Sequence, residues 1–207
     1  WLTLYNEVKM NIFYVHTDPQ LAAQQHCDRH VVKMIAEYGQ LLSTAHRVLD
    51  GQKVITKNKR GGKMTTYLFE DEVKEQTFYK SCYVGHPSNI WLRDSKANYE
   101  WLHACFIELG KEFVRRYNKD ADHMTIQKLA DITATPPKNI SNKLFTGPTP
   151  AMPDYCKVEG DSLASYRKFY IKEKTFAEWR YTETPAWFIE GREELAKSAL
   201  SFYDELR

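Results

Sequence analysis

The chain has 207 residues, a length that suits a single domain. A hydrophobic fraction of 43% and an aromatic fraction of 14% supply enough apolar surface for a core, which excludes a disordered protein. Lys and Arg number 29 against 27 Asp and Glu, and the net charge of +2 excludes a global attraction to polyanions. Any nucleic acid must therefore bind a local patch.

The sequence predicts neither a membrane span nor a secretory signal. Charged residues interrupt every hydrophobic stretch, and the N-terminus lacks the regions of a signal peptide. The four scattered cysteines include no C-x-x-C pair and predict reduced thiols. We expect a cytoplasmic protein without a membrane partner. Met10 opens a run typical of a natural start, so residues 1–9 are either a genuine extension or foreign to the native chain.

The first half of the chain predicts a strand-like run, a long helix and a hairpin. Residues 11–15 are strand-like, and Thr17 or Asp18 can cap a helix with Pro19 at its first position. Apolar residues spaced by three or four then predict one long helix that ends at Asp50-Gly51. The β-prone runs 53–57 and 63–69 flank a basic, glycine-containing tip and predict a hairpin.

The second half is predicted to be helical as well. The segment Gly85-His86-Pro87-Ser88 leads into a second long helix that ends near Arg116. A shorter helix follows at 125–133, then a proline-stiffened connection, then helices at 162–179 and 191–206. We therefore predict one mainly α domain over residues 1–207, a compact helical bundle with a small β-hairpin insertion at 53–69.

Six polar side chains share one stripe of the first long helix, namely His26, His30, Lys33, Glu37, Gln40 and Thr44. The stripe borders the apolar face, a position typical of a cleft wall, where desolvation raises the pKa of a carboxylate and adjacent cations lower it. A solvated flank with bridging histidines is the alternative. A metal site is another, because His26 and His30 have i, i+4 spacing. Since no H-E-x-x-H motif occurs, we predict no metal and no cofactor.

Basic groups elsewhere are candidates for contact with phosphate. His86 precedes a predicted helix N-terminus, which favours anions, although an ordinary turn histidine is the alternative. The hairpin tip carries cations that can follow a sugar-phosphate backbone, and a solvated tip is the alternative. These tip residues are Lys57, Lys59, Arg60 and Lys63.

The stretch from Cys27 to Tyr38 resembles the N-terminal helix of the pyrimidine-dimer DNA glycosylases, the phage endonuclease V type and its bacterial relatives. In that family an Asp-x-His is followed seven residues after the His by a Glu, as Asp28, His30 and Glu37 are here. The segment around His86 and the helix that follows it provide a second match. The Arg that precedes the family's Glu is replaced by Ala36.

The resemblance implies a helical bundle with DNA glycosylase and AP-lyase activity. In the family, the α-amine of the mature N-terminus attacks the sugar C1′ and forms a Schiff base, with the target displaced from its stack. The resemblance also implies that Glu37 is the catalytic carboxylate, which assists ring opening and later strand cleavage. The amine would be an α-amine near Met10 or the ε-amine of Lys33.

We therefore predict a DNA-processing enzyme that acts on damaged or modified nucleobases, with DNA favoured over RNA as the partner. The predicted catalytic residues are Glu37, His30 and Lys33, and His86 is expected in the same cleft. The predicted nucleic-acid-binding residues are His26, Arg29, Lys57, Lys59, Arg60, Lys63 and His86. Two alternatives remain open: a catalytically degenerate nucleic-acid-binding module, and a small metal-dependent hydrolase using His26, His30 and Glu37. No oligomeric state is predicted.

Overall fold

The computed structural model of the chain describes residues 10–57 and 60–205. The elements are α1 (Pro19–Gln25), α2 (Asp28–Asp50), β1 (Gln52–Lys57), β2 (Lys63–Leu68), α3 (Glu72–Thr77), α4 (Pro87–Asp94), α5 (Lys96–Tyr117), α6 (Met124–Thr133), a 3-10 turn (Asp154–Cys156), α7 (Ser162–Glu173) and α8 (Ala186–Glu205). The predicted fold class, mainly α with a small hairpin, is confirmed. Lys59 and the predicted extension at 1–9 lie outside the described residues.

The core forms around α2, which packs against α4, α5 and α6, while α1 lies on α5 and α7 on α8. Its largest fully buried side chains include Tyr38, Tyr99, Tyr166 and Tyr170. Burial of each large apolar side chain contributes on the order of 1.5–3 kcal/mol. Within the described part of the chain, no helix has both the length and the apolar composition needed to cross a bilayer.

The strand predicted at residues 11–15 does not form, because the segment enters the core where no neighbouring strand is available. Its backbone groups are satisfied in other ways: Phe13 N donates to the Tyr38 hydroxyl at 3.2 Å, and Tyr14 N donates to Ile12 O at 3.0 Å. Met10, Ile12 and their neighbours up to Val15 are buried. The apolar residues of this segment therefore reflect its burial in the core, not its pairing in a sheet.

The first long helix is interrupted at His26 and Cys27, which both adopt extended backbone conformations. Side chains from distant parts of the sequence stabilise this interruption. The Arg116 guanidinium donates to the carbonyl oxygens of Gln24 and His26, and Trp179 Nε1 donates to Gln25 O. Carbonyl groups engaged in this way do not extend the helical ladder, so α1 and α2 are separate helices.

The second long helix is also two helices, divided at Ser95. Ser95 caps α5 by accepting from Ala97 N, and its hydroxyl donates to Lys143 O at 2.6 Å. The connection at 134–153 is irregular, as predicted. The hydrogen bond between this connection and Ser95 joins residues nearly fifty positions apart and stabilises the interruption between α4 and α5. Helical periodicity therefore does not predict it.

The other helix boundaries also differ from the predicted ones. α7 ends at Glu173 and not at residue 179, because the chain beyond it turns to the α1–α2 junction, where Asp28 N donates to Glu178 O at 2.9 Å. α8 begins at Ala186, five residues before its predicted start, directly after Pro185. No apolar periodicity predicts the short helix α3, because none of its residues is buried.

The hairpin is confirmed almost to the residue. β1 and β2 pair antiparallel, from Gln52 opposite Leu68 at the base to Lys57 opposite Lys63 beside the tip. The base lies at the C-terminal end of α2, where Arg47 Nη1 donates to Tyr67 O at 2.9 Å. The tip extends from the bundle with its described cations exposed.

Candidate active site

Glu37 lies on the outer stripe of α2 in a partly desolvated position. Its Oε2 accepts a hydrogen bond from the backbone N–H of Asn11 at 3.2 Å, and its Oε1 lies 3.2 Å from Lys33 Nζ. The Glu37 side chain is 14% exposed, whereas that of Lys33 is 54% exposed. Burial raises the pKa of Glu37, and the ammonium of Lys33 and the Asn11 N–H oppose the rise. The raised pKa makes this carboxyl easier to protonate than an exposed one, which suits a group that transfers protons.

The segment that carries the Asn11 nitrogen is held rigidly against Glu37. The Asn11 side chain spans two parts of the fold, because its Nδ2 donates to Ala151 O at 3.0 Å and its Oδ1 accepts from the Tyr166 hydroxyl at 2.9 Å. The same Oδ1 accepts from Ile12 N at 2.8 Å. Every polar atom of the Asn11 amide is therefore engaged, and the backbone nitrogen has one fixed position next to the carboxylate.

Two cations, Lys33 and Lys174, interact with this carboxylate, and Arg29 lies eight residues before it on α2; we call the three the basic rim. The Arg29 guanidinium lies over the Phe176 ring at 5.1 Å, and Lys174 Nζ lies over the Phe169 ring at 4.4 Å. The charge of Lys174 lowers the pKa of both Glu37 and His30, which places it close to both. Arg29 and Lys174 are therefore each held against an aromatic face.

His30 is in the core beside this site and does not present its ring to solvent. It is 2% exposed, stacks on Phe13 with ring centroids 4.2 Å apart, and hydrogen-bonds through Nδ1 to the Tyr170 hydroxyl. Burial lowers its pKa well below the ordinary value, with further lowering by the charges of His26, Lys174 and Lys33. A neutral, packed ring supports the segment that carries Asn11, so the geometry indicates a positioning role.

His26 is not on the stripe with Glu37, because the helix break leaves it as the C-cap of α1. The residue is fully buried; its Nδ1 bonds to Ala22 O at 2.6 Å, and its Nε2 faces the Tyr38 hydroxyl at 3.4 Å. Burial lowers the pKa of His26 to about 4. An imidazole without exposed surface cannot reach a phosphate, so the direct contact predicted for His26 does not fit this structure.

His86 caps α4, and its Nδ1 accepts from Ser88 N at 3.2 Å. Met10 links this helix to the site: Asn89 Nδ2 lies 3.4 Å from the Met10 sulfur, and the next residue, Asn11, contacts Glu37. Burial lowers the pKa of His86. The N-terminus of α4 thus lies on the Met10 side of the Glu37 site, with Met10 between them.

The hairpin cations are remote from Glu37. The base of the hairpin follows α2 at Gln52, fifteen residues after Glu37, which corresponds to about 20 Å along the helix axis. Lys57, Arg60 and Lys63 are exposed at its far end. The structure therefore separates two groups of cations that the sequence left unplaced, the basic rim and the hairpin tip.

The metal-site alternative has no geometric support. The nitrogens of His26 and His30 are directed to Ala22, Tyr38 and Tyr170 and do not converge on Glu37. Across residues 10–57 and 60–205, no group of three or more His, Cys, Asp or Glu side chains is arranged to hold a metal ion.

Sequence reasoning identified Glu37 and Lys33 but missed Lys174 and Asn11. Lys174 is the C-cap of α7 and reaches the site only through tertiary packing. Asn11 belongs to a segment that was read as a strand, and no local pattern assigns a role to its backbone nitrogen. No protein-family model, curated protein or solved structure matches this chain. The resemblance to the pyrimidine-dimer glycosylases therefore stays a prediction.

Proposed function

We propose that the chain is a DNA-processing enzyme of the glycosylase and AP-lyase type, in which Glu37 is the acid and base partner of an amine nucleophile. One observation carries the proposal: the Glu37 carboxylate, with a raised pKa, lies 3.2 Å from both the Asn11 backbone nitrogen and Lys33 Nζ. These are the two positions at which the reaction could place an amine. The Asn11 nitrogen is an α-amine only in a chain cut between Met10 and Asn11, whereas Lys33 carries its amine in every form.

The chemistry requires one group that first donates and then accepts a proton. A neutral amine attacks C1′, the bond from C1′ to the base breaks, and the base leaves with a proton. Protonated Glu37 can then donate to the ring oxygen as the sugar opens to the Schiff base. The resulting carboxylate can remove a proton from C2′, which expels the 3′ phosphate. Burial supports the first role of Glu37, and Lys33 supports the second.

The basic rim supports a polyanionic substrate. Arg29 and Lys33 lie on α2, eight and four residues before Glu37, and Lys174 approaches from the end of α7. A phosphate backbone that crosses this rim would place a sugar over Glu37. Three charges of this kind supply a local attraction although the whole chain carries only +2.

Borohydride trapping on DNA with a single abasic site tests the amine mechanism. The full chain, a form beginning at Met10 and a form beginning at Asn11 are compared, and the adduct is mapped by peptide mass spectrometry. We expect a covalent adduct on the Asn11 α-amine in the shortest form or on Lys33. Lys111→Gln is the matched control, because the Lys111 side chain is 66% exposed on α5 and pairs with Glu108, so its removal should leave the yield unchanged.

An absence of adduct in all three forms would exclude the amine mechanism.

In that case the salt dependence of DNA affinity tests the alternative of a nucleic-acid-binding module without catalysis. Neutralising the rim to Gln at Arg29, Lys33 and Lys174 is compared with neutralising three hairpin cations, Lys57, Arg60 and Lys63. Each lost phosphate contact should flatten the slope of log K against log salt by about 0.9. We expect the rim variant to flatten it more; equal slopes in both variants and the wild type would leave DNA without a binding surface at either place.

A further inference from the structure

A cavity lies beside the segment that holds Asn11. It is a cavity of about 570 Å³ between Tyr14 and Thr17 of that segment, the strap 147–150 and the start of α7 at Ser162. This volume lies in the range of small-molecule sites. Glu37 is not among its lining residues. The chemistry proposed for Glu37 does not use this cavity, and the inference below does not depend on it.

The lining is rich in hydrogen-bond acceptors. Pro148 and Pro150 have no N–H, so the strap offers mainly carbonyl oxygens. The Ser162 hydroxyl gives its proton to Pro148 O at 2.5 Å, which leaves its lone pairs available. Asp161 provides a carboxylate at the rim of the cavity, and it is the one charged side chain among the described residues that line it.

The helix end at this cavity does not offer an anion site. Asp161 is the N-cap of α7, and its Oδ1 accepts from Ala164 N at 2.8 Å. The positive end of the helix dipole is therefore already matched by a carboxylate. Arg167, a cation that interacts electrostatically with Asp161, is directed elsewhere, because its Nε donates to Val15 O and its guanidinium lies over Trp187.

Tyr14, an almost wholly buried aromatic residue (5% exposed), lines the cavity close to this carboxylate. Tyr14 packs edge to face against Trp101 with centroids 5.1 Å apart and lies 6.0 Å from the Phe145 ring. Burial, and then the charge of Asp161, raise the pKa of Tyr14, which places the hydroxyl within electrostatic range of the carboxylate. The Tyr14 side chain therefore forms a fixed, buried support beside the carboxylate, whose charge attracts cations.

We propose that this cavity binds a small organic cation, a ligand with an ammonium or guanidinium group. The charge would lie at Asp161, and its apolar body would lie along Pro148, Pro150 and Leu163. The strap carbonyl oxygens would accept its N–H groups; Pro148 O and Thr149 O, which already accept from Ser162 and Tyr166, each keep a second lone pair. The Asp161 charge disfavours a carboxylate or phosphate ligand, which would face it without a cationic partner among the described lining residues.

Titrations of the full chain with three probes of equal length test this site: n-pentylamine, pentan-1-ol and pentanoate. Binding is followed by the ¹⁵N–¹H shifts of the Gly147, Gly160 and Leu163 amides. We expect saturable shifts at these amides with the amine at concentrations of about 20 mM or less, because a ligand of so few atoms binds weakly. The alcohol and the acid should bind at least about fivefold more weakly, the factor that one cation–carboxylate or cation–aromatic contact provides.

The variant Asp161→Asn removes the charge and keeps a capping side chain, since Asn caps helices as well as Asp does. It should weaken amine binding by about fivefold or more. The matched control is Asp71→Asn, because Asp71 is the N-cap of α3 at the base of the hairpin, away from this cavity. Equal binding of amine and alcohol, tighter binding of pentanoate, no shifts up to about 20 mM, shifts centred on other amides, or unchanged affinity in Asp161→Asn would each overturn the proposal.

Discussion

Arg47 should be the single side chain on which the attachment of the hairpin depends most. Its guanidinium is fully buried and makes five hydrogen bonds, to Tyr79 O, Tyr67 O, Glu75 Oε2, Glu75 O and Phe78 O, at distances from 2.6 to 3.0 Å. The same group lies over the Phe69 ring at 5.1 Å. It therefore fastens β2, α3 and the segment after α3 to the end of α2.

The substitution Arg47→Met keeps most of the apolar stem and removes every donor. Four backbone carbonyls lose a partner at about 1 kcal/mol each, so we expect a loss of about 4 kcal/mol in the free energy of unfolding. This agrees with the 3–5 kcal/mol typical of removing one partner of a buried ion pair. Arg47→Lys retains at most three donors and should cost about 2 kcal/mol. It serves as the measurable variant if Arg47→Met does not fold.

Urea unfolding followed by circular dichroism measures these losses. Lys80→Met is the matched control, because Lys80 pairs with the same Glu75 carboxylate while its side chain is 71% exposed. A surface pair of this kind contributes about 0–1 kcal/mol. If Arg47→Met cost no more than Lys80→Met, the guanidinium would not be the group that holds the hairpin, and the reasoning from buried donors would be refuted.

Three further predictions follow from the same structure. Burial tends to raise the pKa of Glu75, but hydrogen bonds from Arg47 and Lys80 lower it to about 2, below its ordinary 4.5. The ionised Glu75 carboxylate therefore stabilises the fold above about pH 4.5, and this stabilisation is lost as pH falls to 2. Glu75→Gln should flatten the acid limb of a plot of urea midpoint against pH. Burial lowers the pKa of His26 from 6.5 to about 4. The unfolded chain therefore takes up a proton that the folded chain does not, and the urea midpoint should fall progressively as pH falls from 6.5 to 4.5. A urea midpoint that does not change over that range would contradict a buried neutral His26. Gly39→Ala would place its Cβ 2.4 Å from Thr125 Cγ2 and should destabilise the fold by about 1–3 kcal/mol in thermal unfolding, whereas Gly85→Ala, with nothing within 4 Å, should change it by less than about 0.5 kcal/mol.

The sequence was sufficient where the determining residues are local. Pro19 with Asp18 predicted the start of α1, Asp50-Gly51 predicted the end of α2, and the glycine-containing tip predicted the hairpin. It failed where a distant side chain overrides a continuous pattern. The break between α1 and α2 depends on Arg116 and Trp179, which no periodicity within the helix can reveal.

The same division applies to the site. Glu37 and Lys33 are one helical turn apart, so their pairing follows from spacing alone. The positions of Asn11 and Lys174 follow from the packing of segments far from α2 in sequence. The prediction that His26 lies on the stripe assumes one continuous helix, and the break between α1 and α2 removes it. The sequence pattern therefore indicated Glu37 and Lys33, and only the tertiary structure brought Asn11 and Lys174 to them.

The central claim is that Glu37 performs the proton transfers of the reaction. Single-turnover cleavage of DNA at an abasic site, measured for Glu37→Gln against wild type, tests it most directly. The amide can still accept from Asn11 N and loses only the pair with the exposed Lys33, so the free energy of unfolding should change by less than about 1 kcal/mol. Glu178→Gln, at a glutamate whose side chain is 65% exposed, is the control and should cleave like wild type. We predict that Glu37→Gln is slower by about 10²–10⁴-fold while still folded and bound to DNA; cleavage at the wild-type rate would contradict the account.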